Sequence, residues 1–87
     1  MKSRVTEDFM ACFASLPESI RDLARKCYRL WRDNPSHPGL HFKRIHNREA
    51  MYSIRVSKDH RALGLLDGDM MTWFWIGKHA EYDQLIK

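Results

Sequence analysis

Apolar residues recur at helical spacing along the first third of the chain and at strand spacing along most of the rest, and this change of period sets the architecture. Phe9, Cys12, Phe13 and Leu16 fall on one face of a helix opening at Thr6, a residue suited to cap it. Glu7 and Asp8 lie in its first turn, where the helix end is positive. Ser15-Leu16-Pro17-Glu18 restarts the chain in a capping-box pattern, proline being tolerated near a helix start. Beyond it Ile20, Leu23, Ala24, Cys27, Leu30 and Trp31 form a second apolar stripe, while Arg21, Asp22, Arg25, Lys26, Arg29 and Arg32 face outward. Asn34-Pro35 ends this helix, because the residue before a proline avoids helical backbone angles.

After a loop over residues 35–39, residues 41–45 form a predicted strand. In residues 51–57, Tyr52, Ile54 and Val56 alternate with Ser53, Arg55 and Ser57, a strand with one polar face. Lys58-Asp59 fits a tight turn into a strand over 60–66, and Asp67-Gly68 is a hairpin signal into a strand over 70–76. The last two strands are apolar on both sides, as strands covered above and below are. Residues 80–86 form a short closing helix. This order predicts one α+β domain over residues 1–87: an N-terminal helical pair packed on a twisted, mainly antiparallel β-sheet, with a short C-terminal helix.

At 87 residues the chain has room for one core of marginal size, so a partner that stabilises it is expected on physical grounds. Met70, Met71, Trp73 and Trp75 add apolar surface beyond what so small a core easily hides. Cys12 and Cys27 fall in helical segments and suggest no disulfide framework. No stretch approaches the ~20 apolar residues of a membrane span and no apolar leader core follows Met1, so a cytoplasmic protein without membrane partners is expected.

The net charge of +4 is unevenly placed. Residues 1–34 hold seven Lys/Arg against five Asp/Glu, residues 35–66 six against two, and residues 67–87 two against four. The central stretch also holds His37, His41, His46 and His60. Such an excess is what a polyanion binder needs to displace counterions from phosphates, although a solvated basic surface has the same composition.

Placement narrows the choice. If the helices cover one sheet face, the other is open to a ligand. Arg55 lies on the polar side of its strand, and Lys43 or Arg44 is available on the strand before. Arg61 stands among Ala62, Leu63, Leu65 and Leu66, where a charge must either find a partner such as Asp59, Asp67 or Glu81 or open into a cleft. His79 follows Gly77-Lys78 at the end of the last strand, and imidazole suits proton transfer near neutral pH. Tyr82, three residues on, shares its helix face and can stack on a base, bond a phosphate or simply pack. Trp73, Phe74 and Trp75 have the chemistry of base-stacking platforms but the spacing of core residues. No metal is expected: Pro38 and Gly39 break any helical pairing of His37 with His41, and no Cys-x-x-Cys occurs. No cofactor is expected either, as Gly64, Gly68 and Gly77 are too scattered for a phosphate loop and no nucleophile elbow is present.

Taken in order, Phe-x-x-Leu-Pro-x-x-Ile-Arg (Phe13 to Arg21), Lys43-Arg44, Tyr52-Ser53-Ile54-Arg55, His60-Arg61-Ala62-Leu63 and Trp75-Ile76-Gly77-Lys78-His79 resemble the RelE/ParE superfamily of bacterial type II toxins. The resemblance implies a small α+β protein neutralised by a cognate antitoxin. Its RelE-like branch implies metal-independent cleavage of mRNA, usually on the ribosome; its ParE-like branch implies inhibition of DNA gyrase. Carried over by position, it implies catalytic roles for His79, Arg61, Arg55 and Tyr82, with Lys43, Arg44, Lys78 and His60 contacting RNA. His60 stands where a tyrosine commonly precedes the arginine, and Ser53 where some members have a second basic residue, which leaves a thinner basic set.

Overall fold

A computed structural model describes residues 2–45 and 50–87 of the chain. Strand β1 (Lys2–Val5) is followed by helices α1 (Glu7–Ala14) and α2 (Glu18–Asp33), a 3-10 turn (Pro38–Leu40) and strands β2 (Lys43–Arg44), β3 (Met51–Ser57), β4 (His60–Asp67) and β5 (Met70–Lys78). Helix α3 (His79–Leu85) closes the order. The sheet runs β1-β5-β4-β3-β2, antiparallel throughout except for β1, which pairs parallel with β5 from Lys2 opposite Met70 to Val5 opposite Trp73. The expected α+β architecture is therefore present, with an added edge strand. Lys-Ser-Arg-Val has no apolar alternation by which to announce a strand; it is ordered by the ladder of β5.

Thr6 caps α1 as expected, its Oγ1 accepting from the Phe9 N–H at 3.0 Å. The capping box expected at Ser15 does not form. Ser15 instead ends α1, donating from Oγ to the Cys12 carbonyl at 2.8 Å, and Pro17 stands at the N-cap of α2 without a side-chain bond. The strand expected over 41–45 shrinks to two residues, because the 3-10 turn runs into His41, whose φ of 47° is left-handed.

One sheet face meets α1 and α2. Trp31 is its centre, packed edge-on against Trp73 at 5.3 Å and Phe42 at 6.0 Å between ring centroids. Leu16, Leu40, Ile54, Val56, Ala62, Met71 and Ile76 complete this core, whereas Leu23 is exposed despite its place in the apolar stripe. Gly64 is required here: a Cβ would lie 2.7 Å from the Met71 sulfur and 2.8 Å from the Trp73 ring. The other face is not left open, as the sequence implied. Tyr82 of α3 packs there with Ile45 and Leu63, flanked by Met51, Phe74, Trp75 and Ile86. Among the described residues no helix is long and apolar enough to cross a membrane.

Candidate functional site

The strand ladder decides which basic residues meet. Arg55 of β3 is directly opposite Arg61 of β4, and Arg61 is opposite Gly77 of β5. Opposed residues share a face with Cβ atoms about 5 Å apart, so two guanidinium stems stand side by side on the face that carries α3. Like charges in that relation destabilise a sheet, and an anion between them would recover the loss. Lys43, opposite Ser53, lies on the same face.

Arg61 resolves the alternatives left by its apolar strand. Its Nη1 folds back on the β3–β4 turn and donates to the carbonyls of Ser57 at 2.7 Å, His60 at 2.9 Å and Lys58 at 3.5 Å. These partners are neutral, so its charge is not cancelled by Asp59, Asp67 or Glu81, and its remaining donors have no partner among the described residues. The Arg55 guanidinium likewise has none among them.

His79 opens α3. Its backbone N–H donates to the Asp59 carbonyl at 2.7 Å, tying the head of the helix to the turn that holds Arg61. Its Nδ1 lies 3.0 Å from Oδ2 of Asp83, with side chains 42% and 55% exposed. A carboxylate at Nδ1 holds the proton there and leaves Nε2 as the unprotonated nitrogen of the neutral ring. Asp83 was missed by the sequence reading. Its signal is the spacing of four from His79, hidden because the predicted helix began one residue too late.

Other expected contacts are placed differently. Tyr82 is only 6% exposed; its hydroxyl donates to Ser53 Oγ at 3.3 Å, and its ring lies 5.6 Å from that of His79. In this arrangement it cannot stack on a base and instead seats α3 beneath His79. His60 is 9% exposed, with Nδ1 3.0 Å from Ser57 Oγ, which also accepts from the Asp59 N–H. It braces the turn rather than facing a ligand. Alternation along β4 puts His60 and its partner Lys78 on the face opposite Arg61, and Arg44, opposite Tyr52, is also turned away. His46 lies outside the described residues. The convergent set is thus Arg55, Arg61 and His79, with Lys43 on the same face and Asp83 behind the histidine.

Apolar surface gathers elsewhere. Met71 and Trp73, counted in the sequence as surplus, are buried. Instead α1 and α2 stand apart over the sheet and leave an open cavity of about 260 Å³, lined by Val5, Phe9, Met10, Phe13, Tyr28 and Trp31 among others. Met10 is 51% exposed there, and Arg25 and Arg29 also border it.

A family model described as the ParE-like toxin domain matches residues 18–84. No curated protein matches the chain. Among solved structures it is similar to the RelB–RelE antitoxin–toxin complex from Methanococcus jannaschii, at 15% identity over 95% of this chain and 98% of that one, with a TM-score of 0.77. It is also similar to YafQ from E. coli strain BL21(DE3), at 10% identity over 93% and 96% and a TM-score of 0.75. A third similar structure is the YoeB/ParE toxin from Agrobacterium tumefaciens, at 13% identity over 91% and 99% and a TM-score of 0.72.

Proposed function

The chain belongs to the ParE-like toxin domain family, and from that premise we propose that it is a toxin of a type II toxin–antitoxin system acting as a metal-independent endoribonuclease on mRNA at the ribosome. The observation that carries this reading is the opposed Arg55–Arg61 pair beside His79, whose Nδ1 is engaged by Asp83. Two cations with donors that no described residue takes up suit a phosphodiester that gains negative charge as it reacts. The histidine's Nε2 suits proton transfer at the same group.

In this mechanism the 2′-hydroxyl of the RNA attacks the adjacent phosphorus. His79 at Nε2 takes up the 2′-hydroxyl proton or delivers one to the departing 5′-oxygen, water exchanging the other, and the products are a cyclic phosphate and a 5′-hydroxyl. Arg61, fixed by three carbonyls, and Arg55 stabilise the pentavalent phosphorane. Lys43 holds the backbone from the same face. Tyr82 acts through position rather than contact, fixing α3 and so His79.

The proposed partner is a cognate antitoxin, and the RelB–RelE and DinJ–YafQ structures similar to this chain are themselves toxin–antitoxin complexes. The apolar cavity between α1 and α2, with two arginines on its border, supports a partner segment that presents apolar and acidic side chains.

Brief expression in a bacterium, with new 5′ ends mapped across the mRNA pool beside a His79→Ala control, tests the reading. Abundant ends that vanish in the control support it. The family model's own ParE-like description favours a second reading, inhibition of DNA gyrase. Growth arrest with intact mRNA and accumulated gyrase–DNA cleavage complexes would select it.

A further inference from the structure

Gly77 sits between Arg61 and the start of α3, and its missing side chain is replaced by another residue's ring. A Cβ built on Gly77 would lie 2.6 Å from Cζ2 of Trp75, 3.1 Å from Cη2 and 3.3 Å from Cε2. The six-membered edge of the indole therefore occupies the space of a Gly77 side chain, swung forward along β5 by two residues. Because Gly77 is opposite Arg61, that edge stands about 5 Å from the Arg61 stem, and Arg55 is the next residue across the ladder. One row across the sheet thus reads guanidinium, guanidinium, indole. Packing accounts for only part of the ring: Trp75 borders the Ile45, Leu63 and Tyr82 cluster yet remains half-buried, while Trp31 and Trp73 are fully inside.

We propose that Trp75 is a stacking platform for a nucleobase of the RNA whose phosphate lies between Arg55 and Arg61, and that Gly77 serves to let the ring reach it. The inference rests on the ribonuclease reading and adds to it a residue that holds the base. An indole face accepts any base, so the platform contributes affinity and alignment rather than sequence choice. Its position one strand from Arg61 sets the base beside the phosphate row.

The test uses the whole protein, free of partner, and two short oligomers that 2′-hydroxyl attack cannot cut: a 2′-O-methyl oligoribonucleotide and its abasic counterpart of equal length. The expected result is that the base-bearing oligomer binds about tenfold more tightly than the abasic one. It alone should quench tryptophan emission, since Trp75 is the tryptophan within a ligand's reach. Trp75→Leu should remove the preference while keeping the salt-dependent affinity for both oligomers. Gly77→Ala, which leaves the indole in the chain but takes its place, should do the same, and Trp75→Phe should keep part of it. Equal binding of the two oligomers by the native protein, with no quenching, overturns the proposal without recourse to any variant. An undiminished preference in folded Trp75→Leu overturns it too and leaves the ribonuclease reading standing. Failure of the native protein to bind either oligomer overturns the platform, while the ribonuclease reading is decided separately by the 5′-end mapping.

Discussion

Replacing Asp83 separates a positioning role from mere helix stabilisation. The His79–Asp83 pair spans one helical turn at 3.0 Å with both side chains about half exposed, so as a surface contact it contributes only about 0.3–0.5 kcal/mol to folding. Asp83→Ala should therefore shift the melting temperature by no more than about 4 °C. Its effect on catalysis follows from the tautomer. Without the carboxylate the imidazole proton is free to sit on Nε2, and the ring loses its anchor at Nδ1. A solvent-exposed partner biases that choice by about 0.5–1 kcal/mol, which is roughly two- to fivefold, and lost orientation brings the expected fall in kcat to about tenfold with KM little changed. His79→Ala removes the proton-transfer group itself and should cost about 10²–10⁴-fold. The assay is cleavage of a dye-labelled mRNA held on programmed ribosomes by purified native, Asp83→Ala, Asp83→Asn, His79→Ala and doubly substituted proteins. Asparagine retains an acceptor for the Nδ1 proton without the charge, so Asp83→Asn should fall between native and Asp83→Ala. The decisive comparison is the double variant, which should be no slower than His79→Ala alone, because Asp83 acts only through the histidine. A double variant slower by the full product of the two single losses, or an Asp83→Ala protein with native kcat, would refute the reasoning.

Arg61→Ala should lower kcat about 10²–10³-fold, and Arg61→Lys should recover little of it, because an ammonium cannot reach three turn carbonyls and still offer donors to phosphate; single-turnover cleavage rates check both. Trp31→Ala, which empties the centre of the core under α2, should cost about 3–5 kcal/mol and lower the melting temperature by more than 10 °C, as read by circular dichroism. Burial pushes the Cys27 thiol above its ordinary range, which disfavours the reactive thiolate; iodoacetamide should label it slowly at neutral pH and faster only on denaturation, as followed by mass spectrometry. The same upward shift means that stability from a neutral Cys27 is fully present below the ordinary thiol range and is lost as pH rises from there through the folded-state value, so Cys27→Ser should flatten the alkaline limb of a melting-temperature profile. Met10→Asp, which sets a charge in the cavity between α1 and α2, should weaken antitoxin binding at least tenfold by calorimetry while leaving cleavage by the free toxin unchanged.

What the sequence showed and what it hid divide along a physical line. Helix α2 and the β3–β4–β5 meander were legible because their own residues enforce their periods, an arginine-faced stripe in one and Lys58-Asp59 and Asp67-Gly68 turns in the other. Strand β1 was not, since its four residues become a strand only against β5, nearly seventy residues away. The site divides the same way. Local turns bring Arg55 and Arg61 opposite each other, and the end of β5 delivers His79 to the same corner, so that convergence could be read from the chain. Whether Tyr82, His60, Lys78 and Arg44 face that corner depends on alternation and on the path of α3 across the sheet. A shift of one position along a strand reverses the face, so His60 beside Arg61 and Lys78 beside Gly77 are turned away from it. Tyr82 makes the point most sharply: sharing a helix face with His79 was correct, but that face is the one α3 buries against Ser53 and Leu63. His79 escapes because it is the first helical residue and stands at the end of the sheet. Its side chain therefore stays partly exposed while Asp83, one turn on, holds the inner nitrogen.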